Sequence, residues 1–211
     1  HASYRRQRQM CIRDRVNIGE QLHRGIEIDS LFFLSEDLVV TFAGSYIDAN
    51  YEDHKNGPCD RTFVPPASDD CPIVNGGPAR VKDFTGRTPS GVPEIAITVS
   101  ATYSFDINPN ISGYVTGEYV YEDEFQATDA VPIEVPNALR EVGTFNASVG
   151  VKHEPSGFGL MVWGRNINDD EYIYTGFNVP GSPGSYAGYP VVPSMWAVSY
   201  THLTLPTIGC V

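Results

Sequence analysis

The chain has 211 residues, long enough for one domain with a sizeable core or for part of something larger. Hydrophobic residues make up 41% and the formal net charge is −12; an acidic chain of this kind excludes nucleic acid as the expected partner. No stretch of eighteen apolar residues occurs, so a transmembrane helix is excluded, which says nothing against a membrane barrel built of strands.

Residues 1–15 (HASYRRQRQMCIRDR) and the end (SYTHLTLPTIGCV) resemble translated sequencing-library adapter, and the opening residues show no initiator Met and no leader pattern. Segments 1–15 and 201–211 are therefore read as non-native and set apart from the fold. Without them Lys plus Arg falls from 14 to 9 and Asp plus Glu from 26 to 25, leaving −16 on residues 16–200. Cys11 and Cys210 go with the ends, leaving Cys59 and Cys71.

Alternation of apolar and polar residues marks a strand with one apolar face, because successive side chains point to opposite sides. Arg24 to Leu34 is the first such segment, with Ile26, Ile28, Phe32 and Leu34 on one face and an imperfect mixture (Glu27, Asp29, Leu31, Phe33) on the other. After Ser35-Glu36-Asp37, Leu38 to Tyr46 places Leu38, Val40, Phe42, Gly44 and Tyr46 together. Residues 48–92 are dense in Gly, Pro, Asp and Asn and read as a long loop. Ile95 to Phe105 is the clearest strand, with Ile95, Ile97, Val99, Ala101, Tyr103 and Phe105 opposite small polar residues. The turn Asp106 to Asn110 leads to Ile111–Glu122, where Ile111, Gly113, Val115, Gly117, Tyr119 and Tyr121 share a face.

A second long connection, 123–142, precedes Gly143 to His153, with Phe145, Ala147, Val149 and Val151 on one side. Pro155-Ser156-Gly157 turns into Phe158–Asn168, with Phe158, Leu160, Val162 and Gly164 together. A third long loop, 169–192, ends at Met195–Tyr200, where Trp196, Val198 and Tyr200 face one way. The expected fold is all-β, an antiparallel up-and-down meander of about seven strands. Its connections alternate short and long, so a meander collects all the short turns at one end and all the long loops at the other. That is the organisation of bacterial outer-membrane barrels, which have eight or more strands, so the meander is expected to be part of a larger barrel.

The residues of Phe158-Gly-Leu-Met-Val-Trp-Gly-Arg-Asn166-Ile167-Asn168-Asp169-Asp-Glu-Tyr172 resemble the penultimate strand of TonB-dependent outer-membrane receptors. Arg24 to Ile28 and Thr144 to Gly150 resemble strands earlier in the same C-terminal region, and the likeness runs over residues 17–200. The resemblance implies a fragment of a receptor with a twenty-two-strand barrel around an N-terminal plug. It implies energised uptake of a scarce ligand of the siderophore, cobalamin or oligosaccharide class. The implied partners are outer-membrane lipid, a small-molecule ligand, the missing plug and strands, and TonB acting through that plug. Two departures stand out: the sequence contains no plug or TonB-contacting segment, and the family's terminal aromatic strand end is replaced after Tyr200.

Candidate ligand residues are Glu118 and Glu122, expected to face a watery lumen, and Tyr174, Phe177, Tyr186 and Tyr189 in the last long loop, since aromatics on a surface loop can grip a ligand. For Glu118 and Glu122, as for Lys152 and Arg165, a solvated polar wall is the stronger reading than a ligand site, whereas the aromatics read equally as packing of the loop on its neighbours. Cys59 and Cys71 flank DRTFVPPASDD and are expected to form a disulfide, which suits an oxidising cell surface and in the entropy model restricts the unfolded chain by about 3 kcal/mol. Two free thiols are the alternative, and a metal site with His54 and Asp60 lacks closely spaced Cys pairs. His23, His54 and His153 show no ligand spacing, and no cofactor is expected. No nucleophile elbow, metalloprotease helix or phosphate loop occurs, so an enzyme is not expected. A soluble extracellular β-sandwich acting as a binding module is the competing expectation.

Overall fold

In the computed structural model the chain is described over residues 19–58, 81–131, 133, 135–179, 182 and 184–202. Among these residues there is no helix, and eleven strands occur: β1 (Glu20–Phe33), β2 (Leu38–Asp53), β3 (Gly57–Pro58), β4 (Val81–Lys82), β5 (Ile95–Asn108), β6 (Ile111–Gln126), β7 (Leu139–His153), β8 (Phe158–Arg165), β9 (Ile173–Asn178), β10 (Tyr186–Pro190) and β11 (Met195–Thr201). Seven of them form one antiparallel up-and-down sheet in the order β1-β2-β5-β6-β7-β8-β11. The sheet is open, because β1 pairs only with β2 and β11 only with β8.

The register carries the two-residue period across the whole sheet. Leu38 stands opposite Tyr103, Tyr103 opposite Val115, Val115 opposite Val149, Val149 opposite Val162 and Val162 opposite Val198, a single apolar row over six strands. One residue along, Val39, Thr102, Thr116, Ser148, Trp163 and Ala197 make the matching row on the other face. A slip of one residue anywhere would scramble both faces, so the pattern rules out such slips. Phe42, Val99, Tyr119 and Phe145 form a second apolar row. Ile26, Ile28 and Phe32 extend the face onto β1, opposite Tyr46, Gly44 and Val40.

This apolar face is open on much of β1, β6, β7, β8 and β11 and half-exposed on much of β2 and β5, while Leu31 and Phe33 of β1 are exposed on the opposite face. Ile26 is 67% exposed, Val149 45% and Val198 63%, and Phe145, Leu160, Val162, Trp196 and Tyr200 are exposed as well. The polar face is partly covered by its own side chains, and it lines a shallow concavity of about 580 Å³ between β1, β2, β5 and β6 that includes Glu27, Asp29, Ser45, Thr98 and Glu122. A water-soluble sheet shows the reverse arrangement, with its apolar side covered. The buried apolar side chains among the described residues are Ala49, Tyr51, Phe84, Phe125, Val131, Ala138 and Val142, all at the long-loop end, so the sheet itself encloses no core.

The aromatic residues of the outer face fall in two bands. Phe32, Tyr103, Phe105, Phe158 and Tyr200 lie toward the short turns, and Tyr46, Tyr119, Tyr121, Phe145 and Trp196 toward the long loops, with Val, Leu, Ala, Gly and the single aromatic Phe42 between. Tyr103 and Phe105 stack at 6.0 Å. Phe105 also lies across Gly113, where a Cβ would come within 2.7 Å of its ring, so the missing side chain makes room for the aromatic. Eight residues separate Phe105 from Ile97, the partner of Tyr121; that is about 27 Å along the strand.

The short connections are residues 34–37, 109–110 and 154–157, and the long ones 54–94, 127–138 and 166–194, which places each set at its own end of the meander. Ser35 Oγ accepts from the amides of Asp37 and Leu38, Asn108 Oδ1 accepts from the amide of Asn110, and Gly157 takes a φ of 65° to close the third turn. The long connections hold more structure than their Gly and Pro content predicts. β2 runs on to Asp53, β6 to Gln126 and β7 begins at Leu139, while β3 pairs with β4 and β9 with β10 in small separate two-stranded sheets. β8 is shorter than its periodicity predicts: it stops at Arg165 because Asn166 enters the left-handed region at φ 48°.

Candidate functional site

Three groups of side chains converge at the long-loop end. The first is the segment that follows β8. Asn166 is only 4% exposed, and its amide group holds both sides of the third long loop. Its Nδ2 donates to the carbonyls of Asp170 (2.9 Å) and Val192 (3.1 Å), and its Oδ1 accepts from the amide of Asp170 at 2.8 Å. Asn has a polar side chain short enough to bond its own loop and tolerates φ > 0, which is the combination this position requires. Asp169, also at positive φ, accepts the amide of Ser194 at 2.8 Å just before β11.

Asn168 does something different. Its Oδ1 accepts from the amide of Phe145 at 2.8 Å and its Nδ2 donates to the carbonyl of Gly143 at 2.6 Å. One side-chain amide thus continues the ladder along β7 after the backbone of β8 has turned away. Asp170 Oδ2 accepts the amide of Gly143 at 2.7 Å, and Ile167 donates its amide to the carbonyl of Phe145 at 2.8 Å. Asn166, Ile167, Asn168 and Asp169 therefore act as a strand-ending clamp, and β7 keeps its edge satisfied beyond its neighbour.

The second group surrounds Arg140 near the start of β7. Its Nη2 meets Glu122 Oε2 at 2.8 Å and its Nη1 donates to the carbonyl of Tyr174 at 3.0 Å. The guanidinium lies 4.6 Å from the ring centre of Phe125, 5.2 Å from Tyr174 and 5.6 Å from Tyr172. Burial pushes the Tyr172 phenol above the usual tyrosine range, against the opposing pull of Arg140 and Thr144. Arg140 was not singled out by motif or spacing. It is the one basic residue between Arg87 and Lys152, and a lone cation in so acidic a stretch was the available signal.

The third group is the aromatic set on hairpin β9–β10. Phe177 and Tyr189 lie on one face of it, with ring centres 5.6 Å apart and planes tilted by 37°. They are 38% and 60% exposed, and Tyr174 on the other face is exposed too. Tyr186, opposite Asn178, is half-buried. Of the acidic candidates, Glu118 Oε1 accepts from Asn146 Nδ2 at 2.8 Å and Glu122 is taken by Arg140. Both are on the polar face as expected, yet each already has a protein partner.

The rest of that face is a network of small polar groups. Thr41 meets Ser100 at 2.8 Å, Thr102 meets Thr116 at 3.0 Å, and Trp163 Nε1 donates to Ser199 Oγ at 3.2 Å. Near the turns, Glu154 accepts from Ser112 (2.9 Å) and pairs with Lys152 (2.6 Å). Arg165 lies over the Trp163 ring at 5.4 Å. The expected Cys59–Cys71 bridge and Asp60 lie outside the described residues. His54 is buried in a stack with Phe84 (5.4 Å) and Tyr51 (4.6 Å), and no group of three metal-ligating side chains occurs among the described residues.

Chemically, the arrangement offers an exposed aromatic pair on hairpin β9–β10 and, separately, a hydroxyl- and carboxylate-lined concave wall on the sheet. That suits reversible binding of a polar ligand with a flat or ring-shaped part. No family model matches the chain, and no curated protein matches it.

Proposed function

We propose that the chain is the C-terminal part of a TonB-dependent receptor in a bacterial outer membrane. In this reading the seven-stranded sheet is one sector of a transmembrane barrel. The whole receptor takes up a scarce small molecule of the siderophore, cobalamin or oligosaccharide class, with TonB acting through a plug encoded outside this chain. The observation that carries the proposal is the continuous apolar face, exposed or half-exposed across seven strands, backed by a mainly polar concave wall. Lipid is the solvent that makes such a surface favourable, at roughly 25 cal/mol per Å² of apolar area kept from water. Aromatic bands at both margins and long loops confined to one end support the same reading. The likeness of the segment from Phe158 to Tyr172 to a receptor strand points to this class of barrel over others. The proposed ligand contacts are Phe177 and Tyr189, with Tyr174 and Tyr186 beside them. A soluble sandwich would cover the apolar row with a second sheet, and the described residues place none there.

The two tryptophans allow a direct test, since Trp196 lies on the apolar face and Trp163 on the polar one. In vesicles of dibrominated phosphatidylcholine, the Trp163→Phe chain, which keeps Trp196, is expected to lose most of its fluorescence to bromine quenching. The Trp196→Phe chain, which keeps Trp163, is expected to stay bright. Equal quenching of both, or quenching of neither, overturns the assignment.

A further inference from the structure

Hairpin β9–β10 pairs with no strand but its own partner, so side chains decide where it stands. At its exit Asn166 and Asp169 hold Val192 and Ser194, and Gly176 lies so close to Val131 that a Cβ would come within 2.7 Å. One contact that joins the hairpin to the sheet is Arg140. Its two terminal nitrogens reach in different directions, one to the carboxylate of Glu122 on β6 and one to the backbone of Tyr174 on β9. Its flat face lies against Phe125, Tyr172 and Tyr174 at once.

The geometry points to Arg140 as the positioning residue of the aromatic pair: by its planar fork it sets where Phe177 and Tyr189 stand relative to the polar wall. Charge alone does not accomplish this. A lysine ammonium could keep the ion pair to Glu122, but it has neither the fork to reach the Tyr174 carbonyl at the same time nor the plane to stack on three rings. Phe177 and Tyr189 themselves touch nothing of Arg140, so its effect on them runs through β9. The use of the aromatic pair rests on the proposed receptor role; the positioning itself does not, and the experiment below requires neither a ligand nor a membrane.

The experiment is amide hydrogen exchange on the full chain in detergent micelles, comparing the unmodified protein with Arg140→Gln, Arg140→Lys and Glu122→Gln. In Arg140→Gln the amides of Ile173–Asn178 and of 186–189 are expected to exchange about tenfold faster, with Val115–Glu118 in the centre of β6 unchanged. Arg140→Lys is expected to follow Arg140→Gln, and Glu122→Gln to stay close to the unmodified chain because the Tyr174 bond and the stacking persist. The inference is overturned if hairpin exchange does not change in Arg140→Gln. It is equally overturned if β6 speeds up to the same extent, which makes Arg140 a support of the sheet at large. Protection by Arg140→Lys equal to the unmodified chain also overturns it, since charge would then suffice. Failure of the bromine-quenching test with these exchange results intact would reject the receptor reading and leave the positioning role standing.

Discussion

Asn166 and Asn168 have the same side chain and opposite environments, and their substitutions should separate accordingly. Asn166→Ala removes the partners of the Asp170 amide and of the Asp170 and Val192 carbonyls in a buried setting, and leaves alanine at a positive φ. The expected loss is roughly 3 kcal/mol in chemical denaturation, from unsatisfied buried groups and backbone strain. Asn168 is exposed, so water can replace its bonds to Gly143 and Phe145, and Asn168→Ala should cost about 1 kcal/mol. Equal losses at the two positions would contradict the roles assigned to them. Glu154 lies in the turn after β7, where the Lys152 ammonium, then the Ser112 hydroxyl, hold its carboxyl below the usual carboxylate range. A carboxylate lowered in the folded state contributes its stabilisation above its unfolded value and loses it as the pH falls through the folded one. The turn should therefore keep its ties at neutral pH and release them only in acid, at pH values below the ordinary 4.5. A carbon-detected titration of the Glu154 carboxyl should show its midpoint below that of Glu154 in Lys152→Ala.

At the scale of the strand, adjacent residues on β5 should tolerate charge very differently. Val99 lies on the apolar face between Phe42 and Tyr119, inside the aromatic margins set on β5 and β6 by Phe105 and Tyr121. Ser100, next along, shares a hydrogen bond with Thr41 on the concave side. If the outer face meets lipid, Val99→Arg should cost about 2–4 kcal/mol of stability in bilayers, whereas Ser100→Arg should cost under about 1 kcal/mol because its charge reaches water. Denaturation of vesicle-reconstituted protein measures both, and equal sensitivity would contradict the two-faced strand. β8 shows how an element ends without leaving its neighbour exposed. Its backbone departs at Arg165, and Asn168 supplies the donor and acceptor that the next strand residue would have given.

For the whole molecule, the open edges of β1 and β11 present unpaired backbone groups, each costing several kcal/mol if placed in hydrocarbon. The proposed barrel resolves this by further strands at both edges, and so places the fragment's stability in its missing neighbours. The only pronounced packing among the described residues is at the loop end, around Tyr51, Phe84, Phe125 and Val142. A structure whose core sits at one rim and whose sheet has none draws its cohesion from the hydrogen-bond ladder and from what surrounds it. Arg140 and Lys152 each neutralise a carboxylate, Glu122 at the loop end and Glu154 in a short turn.

The faces, the strand order and the alternation of short and long connections were legible in the sequence, since a two-residue period is local: Ile95, Ile97 and Val99 declare their common side without any knowledge of their partners. The register was not: periodicity excludes slips of one residue but not of two, so which residues stand opposite, such as Tyr103, Val115 and Val149, was decided by the structure. The rest of what the tertiary structure alone decided lies where the chain leaves that period. Hairpin β9–β10 was hidden by its glycines and prolines, and β8 ended early at a residue whose left-handed backbone is set by bonds to Asp170 and Val192. Arg140 meets Glu122, Phe125, Tyr172 and Tyr174, and Asn168 meets Gly143 and Phe145. Partners brought together from distant points along the chain leave no periodic trace in it, and only folding shows which acid, ring or carbonyl each of them finds.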